Sequence, residues 1–97
     1  MSLLKRRHKG FNPTTESGFT EIYDHFSPRF LGLCYRYCGN LEDAEDVMHD
    51  AFMSIIRNYD KFQDRGEGSL EAWMKKIMVN TSLKFLRQSP KYNKILT

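Results

Sequence analysis

Apolar residues recur at three- and four-residue intervals in three separate runs of this chain, and that periodicity restricts the fold more than any other feature. The first run is Phe19, Ile22, Tyr23, Phe26, Phe30, Leu33, Cys34 and Tyr37. The second is Leu41, Ala44, Met48, Ala51, Phe52, Ile55, Ile56 and Tyr59, and the third is Leu70, Trp73, Met74, Ile77, Met78, Thr81 and Phe85. Each run lies along one face of an α-helix. An apolar stripe must be buried against another element, so the expected fold is all-α, a small bundle of three to four helices around one core.

The residues between the runs act as punctuation. Pro28 removes a hydrogen bond and crowds the preceding turn, so a kink, or two helices meeting near Ser27, is expected in the first run. Gly39 suits a helix C-cap, and Asn40 suits the N-cap of the next helix, with Glu42 and Asp43 in its first turn favoured by the helix dipole. Residues 61–68 contain two glycines and no period, which predicts a loop, and Ser69 can cap the third helix with Glu71 in its first turn. Ser89-Pro90 should stop that helix. The division is therefore a flexible basic arm over 1–18, a helical domain over 19–88 and the start of an interdomain linker over 89–97.

Ninety-seven residues suffice for one domain and leave no room for a two-domain enzyme. No window approaches the roughly 18 apolar residues of a membrane span, and residues 1–10 carry charges where a signal peptide needs an apolar segment, so membrane insertion is not expected and the location is read as cytoplasmic. Cys34 and Cys38 lie one turn apart on a helix, and His8, His25 and His49 fall in no metal-finger spacing, so the cysteines are read as buried or half-buried thiols and no metal or other cofactor is expected. No set of residues is spaced as a nucleophile with its base, which argues against an enzyme.

Charge is segregated. Residues 1–10 hold four Lys/Arg and no acid, residues 41–52 hold five acids and no Lys/Arg, and residues 53–97 hold nine basic residues against four acidic ones. Asp43, Asp46 and Asp50 fall at i, i+3 and i+7, opposite the apolar face of the second helix. Lys76, Asn80, Lys84 and Arg87 follow one another along one edge of the third, beside Trp73. Cations can hold phosphates, Asn can bond a base edge, and an aromatic can hold an unstacked base. An acidic face suits a basic protein surface, although such runs also serve only for solvation.

The run LEDAEDVMHDAFMSIIRNYDKF, the Gly-containing loop and the helix AWMKKIMVNTSLKFLR together closely resemble region 2 of bacterial RNA polymerase sigma factors of the extracytoplasmic-function (ECF) group. The likeness extends from Phe19 to Arg87. It implies a sigma factor module in transcription initiation. By that resemblance the acidic helix docks on the β′ clamp helices of core RNA polymerase through Asp43, Glu45, Asp46, His49, Asp50 and Met53. The loop and last helix recognise and help melt the promoter −10 element as single-stranded non-template DNA, with a base taken into a pocket. Matched position by position, the DNA-side residues are Phe62, Arg65, Gly66, Ser69, Trp73, Lys76, Asn80, Lys84 and Arg87. An anti-sigma factor is the implied regulator.

Three positions depart from the family pattern. His49 stands where Gln is usual, Val79 precedes Asn80 where Arg is commoner, and Lys84 takes a place often held by Asp. The family also carries a region 4 domain beyond a linker, and no counterpart is present up to Thr97. Two other classes fit the residues: a helical adaptor using the acidic face alone, and a double-stranded DNA-binding helix-turn-helix module, against which stands the long loop before the third helix.

Overall fold

The first helix starts at Thr15, ahead of the apolar run, because that residue supplies a cap. In the computed structural model, which describes residues 12–89, the elements in chain order are α1 (Glu16–Cys38), α2 (Leu41–Arg57), a single 3-10 turn (Tyr59–Lys61) and α3 (Ser69–Gln88). The basic cluster Lys5, Arg6, Arg7 and Lys9 and the tail 90–97 lie outside the described residues. Thr15 is extended, its Oγ1 accepts from the Gly18 N–H at 3.1 Å, and its hydroxyl donates to the Asn12 carbonyl at 2.9 Å. This satisfies one of the helix's orphan donors. Gly18 is buried against that same carbonyl, and a Cβ there would overlap it. The helical part therefore reaches back into the stretch expected to be an arm.

Of the kink or the two helices expected at Ser27-Pro28, the division into two helices is corrected: one helix runs through Pro28. Proline costs the bond its missing N–H would have made, yet burial on both sides keeps the two turns together. Phe26 and Phe30, each 1% exposed, stack with ring centroids 5.4 Å apart and commit both flanking turns to one core. Fully burying side chains of this size stabilises by about 1.5–3 kcal/mol each, enough to offset the lost bond.

Gly39 ends α1 in the left-handed region (φ 84°), with its N–H bonded to the Tyr35 carbonyl at 2.8 Å. Asn40 then caps α2, its Oδ1 accepting from the Asp43 N–H at 2.8 Å. Both caps stand where the sequence predicts them. With only these two residues between the helices, α1 and α2 fold back on each other as an antiparallel pair.

The core comprises Ile22, Phe26, Phe30 and Cys34 from α1, Ala44, Val47, Met48, Ala51, Phe52 and Ile55 from α2, and Leu70, Met74 and Met78 from α3. Leu41, expected on the apolar face, is 54% exposed, because it is the first residue of α2 and packing against α1 begins one turn later. Val47, absent from the expected run, is buried between α2 and α3. Ser82 is the buried polar residue of the described core, and its hydroxyl donates to the Met78 carbonyl at 2.9 Å.

Both cysteines are free. Cys34 is buried with its Sγ 4.0 Å from the Met78 Sδ, and Cys38 is half-buried, as the sequence predicts. Burial raises the Cys34 thiol, and burial first, with Cys34 and Asp43 adding, pushes Cys38 up to about 11. An Arg29–Glu71 ion pair links α1 to the start of α3.

Candidate protein and nucleic-acid interfaces

The acidic side of α2 is a consequence of its capping and its period. Glu42, Glu45, Asp46, His49 and Asp50 are exposed, and Met53 is 51% exposed among them. Asp43 differs: it is half-buried, and one carboxylate oxygen accepts from the Asn40 Nδ2 at 2.8 Å. It therefore completes the cap as well as carrying charge. His49 is not isolated on the stripe, since its Nε2 lies 3.1 Å from the Tyr23 hydroxyl of α1 and the two rings stack at 6.0 Å. Sequence reasoning missed Tyr23 here, because its place in the α1 periodicity marks it only as a core residue.

The second surface is built by the connection 58–68 and the exposed edge of α3. Tyr59, Phe62 and Trp73 form an aromatic cluster, with ring centroids at 5.9 Å for Tyr59–Phe62, 5.2 Å for Phe62–Trp73 and 6.4 Å for Tyr59–Trp73. Burial, with Asp64 adding, raises the Tyr59 phenol. Beside the cluster lies a cavity of about 290 Å³ lined by Ser54, Asn58, Lys61, Trp73, Lys76, Ile77 and Asn80. Trp73, Lys76 and Asn80 are thus brought together as the sequence predicts. Ser54, Asn58 and Lys61 join them without having been foreseen. Asn58 is held in place by its Nδ2, which donates to the Ser54 carbonyl at 2.8 Å.

The glycine-bearing part of the connection is internally bonded. The Asp64 Oδ1 accepts from the Gly66 N–H at 2.9 Å and from the Ser69 hydroxyl at 3.1 Å, while the Ser69 Oγ accepts from the Arg65 N–H at 3.1 Å. The expected cap role of Ser69 is corrected: the N-cap of α3 is Gly68 (φ 87°), and the Ser69 side chain braces the loop instead. Arg65 donates from Nη2 to the Gln63 Oε1 at 3.0 Å. Arg65, Gly66 and Ser69 do not line the cavity, which lies toward the other end of the connection.

A larger groove, of about 610 Å³, separates the exposed sides of α2 and α3. Asp50, Met53 and Arg57 stand on its α2 side, and Asn80, Lys84 and Gln88 on its α3 side. Ser54, Ile77 and Asn80 line both concavities, so the two adjoin. Arg87 is exposed beyond them, and from Ala72 to Gln88 the helix contains no Asp or Glu. Asp50, at the C-terminal end of the acidic stripe, therefore shares one groove with Asn80 and Lys84 of the basic edge. Such an arrangement can bind a cationic surface and a polyanion side by side.

Among the described residues no three His, Cys, Asp or Glu side chains come together as a metal site, and no helix is long and apolar enough to cross a membrane.

Comparison with known proteins matches residues 22–91 to the Sigma-70 region 2 family. The ECF RNA polymerase sigma factor SigW of Bacillus subtilis is 30% identical over 86 residues, covering 89% of this chain and 45% of that protein. SigG of Mycobacterium tuberculosis, also an ECF RNA polymerase sigma factor, is 31% identical over 78 residues, covering 78% of this chain and 20% of its own length. The ECF RNA polymerase sigma-E factor of Haemophilus influenzae is 27% identical over 85 residues, with coverages of 88% and 41%. The chain thus spans less than half the length of these relatives. No solved structure matches. With three helices in one bundle, and with the family match extending over residues 22–91, most of its length, the chain belongs to the sigma-70 region 2 family, in its ECF group.

Proposed function

We propose that this chain is the module of an ECF sigma factor that binds core RNA polymerase and captures the melted −10 element of a promoter, acting by binding and without chemistry of its own. The observation that carries the proposal is the cavity in which Trp73, Lys76, Asn80 and Lys61 converge beside the Tyr59–Phe62–Trp73 cluster. An unstacked base needs an aromatic wall, a hydrogen-bonding side chain and cations for its flanking phosphates, and these are the groups gathered there. Stacking of this kind contributes about 1–3 kcal/mol per base. Strand opening then follows from affinity for the single strand that the duplex does not share.

The acidic side of α2 serves docking on the β′ clamp helices, with Glu45, Asp46, His49, Asp50 and Met53 toward the partner and Asp43 dividing its charge between partner and cap. Because Asp50 and Lys84 share a groove, polymerase and single-stranded DNA would sit next to one another on the module. The connection 58–68 is far longer than the three- or four-residue turn of a helix-turn-helix, which speaks for a loop that receives bases rather than a recognition helix laid into duplex DNA. A module that acts on polymerase would work in the cytoplasm, and an anti-sigma factor covering either surface would silence it.

The test is the affinity of a single-stranded non-template −10 oligonucleotide, measured by fluorescence anisotropy with the chain bound to core polymerase. Binding of the single strand should exceed that of its duplex by at least about tenfold, and Asn80→Ala should remove most of that preference. Equal affinity for single strand and duplex would refute the −10 role.

A further inference from the structure

His49 places an imidazole in the middle of an otherwise acidic stripe, and that ring is tied to another helix. Its Nε2 is 3.1 Å from the Tyr23 hydroxyl, with the two ring planes 28° apart. Tyr23 is in turn fixed from behind by Phe52, which is 1% exposed with its ring 5.2 Å away, and by Phe19 at 5.7 Å. An exposed side chain of the docking face is thereby anchored, through one phenol, to the hydrophobic core.

A phenol donates better than it accepts, because its oxygen lone pair is drawn into the ring. Where the phenol donates, Nε2 is the acceptor, and the imidazole proton is then the one on Nδ1. Around His49 on α2 stand Glu45, Asp46 and Asp50, whose ionised carboxylates can only accept. An Nδ1–H among them is a donor set within a field of acceptors, and a partner that meets it needs an acceptor at the same place in its basic surface.

We infer that Tyr23 is a positioning residue for polymerase docking: by occupying the Nε2 of His49 it fixes the ring and its tautomer, leaves Nδ1–H as the donor presented to the partner, and extends the docking face from α2 onto α1. This rests on the docking role proposed above for the acidic side of α2. An amide at position 49 carries donor and acceptor together and needs no such fixing, so the Tyr23 hydroxyl matters only when His49 is present.

The experiment combines a double-mutant cycle on the full chain with the ¹⁵N-resolved imidazole spectrum of His49. Tyr23→Phe keeps the ring contacts and removes the hydroxyl. It should weaken binding to core polymerase about fivefold in the His49 chain and less than about twofold in the His49→Gln chain, the difference being one hydrogen bond. The spectrum should show the Nδ1–H tautomer in the wild type and a mixture in Tyr23→Phe. Equal weakening in both backgrounds, no weakening in either, or an Nε2–H tautomer in the wild type overturns the inference. Failure of the wild type itself to bind polymerase overturns the docking role and the positioning role together, and the spectrum, which needs no polymerase, separates that failure from a failure of the Tyr23–His49 pairing.

Discussion

The ring of Phe62 stands 5.2 Å from the indole of Trp73, inclined at 46°, so the connection after α2 is pinned to α3 by an aromatic contact at the edge of a cavity that also holds Lys76 and Asn80. Phe62→Ala should leave the helices intact and cost about 1–3 kcal/mol of single-stranded −10 affinity in the polymerase-bound state. Anisotropy titration of variant and wild type, with circular dichroism as the control on folding, measures this.

Lys76, Lys84 and Arg87 are exposed along an edge of α3 that has no acid beyond Glu71. If they neutralise single-strand phosphates, each removal lowers the slope of log affinity against log salt by about 0.7. Lys76→Ala and Lys84→Ala should each give a decrease of that order, and the double variant about twice as much. Anisotropy over a range of salt concentrations measures the slope.

At the start of α1, Thr15 caps and Gly18 lies against the Asn12 carbonyl. Thr15→Ala should cost about 1 kcal/mol. Gly18→Ala should cost about 1–3 kcal/mol, because a Cβ must displace backbone rather than a flexible side-chain end. Thermal melts should record a fall of about 4–8 °C per kcal/mol for a domain of this size.

The Cys38 thiol ionises at about 11 in the fold against 9.0 ordinarily. Above pH 9 the unfolded chain releases this proton while the folded chain retains it, so the unfolded state is favoured. Stability should be fully present below pH 9 and fall as pH rises from about 9 to about 11. Melts under reducing conditions should show that fall, and Cys38→Ala should make it shallower.

Much of this architecture is local and therefore legible in the chain. Gly39 and Asn40 end one helix and begin the next through bonds to residues three or four away, and the exposure of Asp46 and Asp50 follows from helical period alone. Thr15 was hidden within the polar Thr14-Thr15-Glu16-Ser17 run, which has the composition of a loop although one of its hydroxyls starts a helix. Pro28 misled because local propensity argues for a break, whereas stacked Phe26 and Phe30 decide otherwise from the core. Ser69 is a good cap by type, but its hydroxyl is taken by Asp64 and Arg65, leaving Gly68 at the cap. Tyr23 against His49 is a contact between two helices, and Lys61 lines one cavity with Lys76 from a different element; no periodicity within one helix reveals either.

The most direct test is a titration of core RNA polymerase with the wild-type chain and with the Asp46→Lys/Asp50→Lys variant. Both residues are exposed and neither caps a helix, so the variant should keep the helical spectrum and melting temperature of the wild type while its affinity falls at least about tenfold. Equal binding by the two folded proteins, or no binding by the wild type, would contradict the assignment of this face to polymerase.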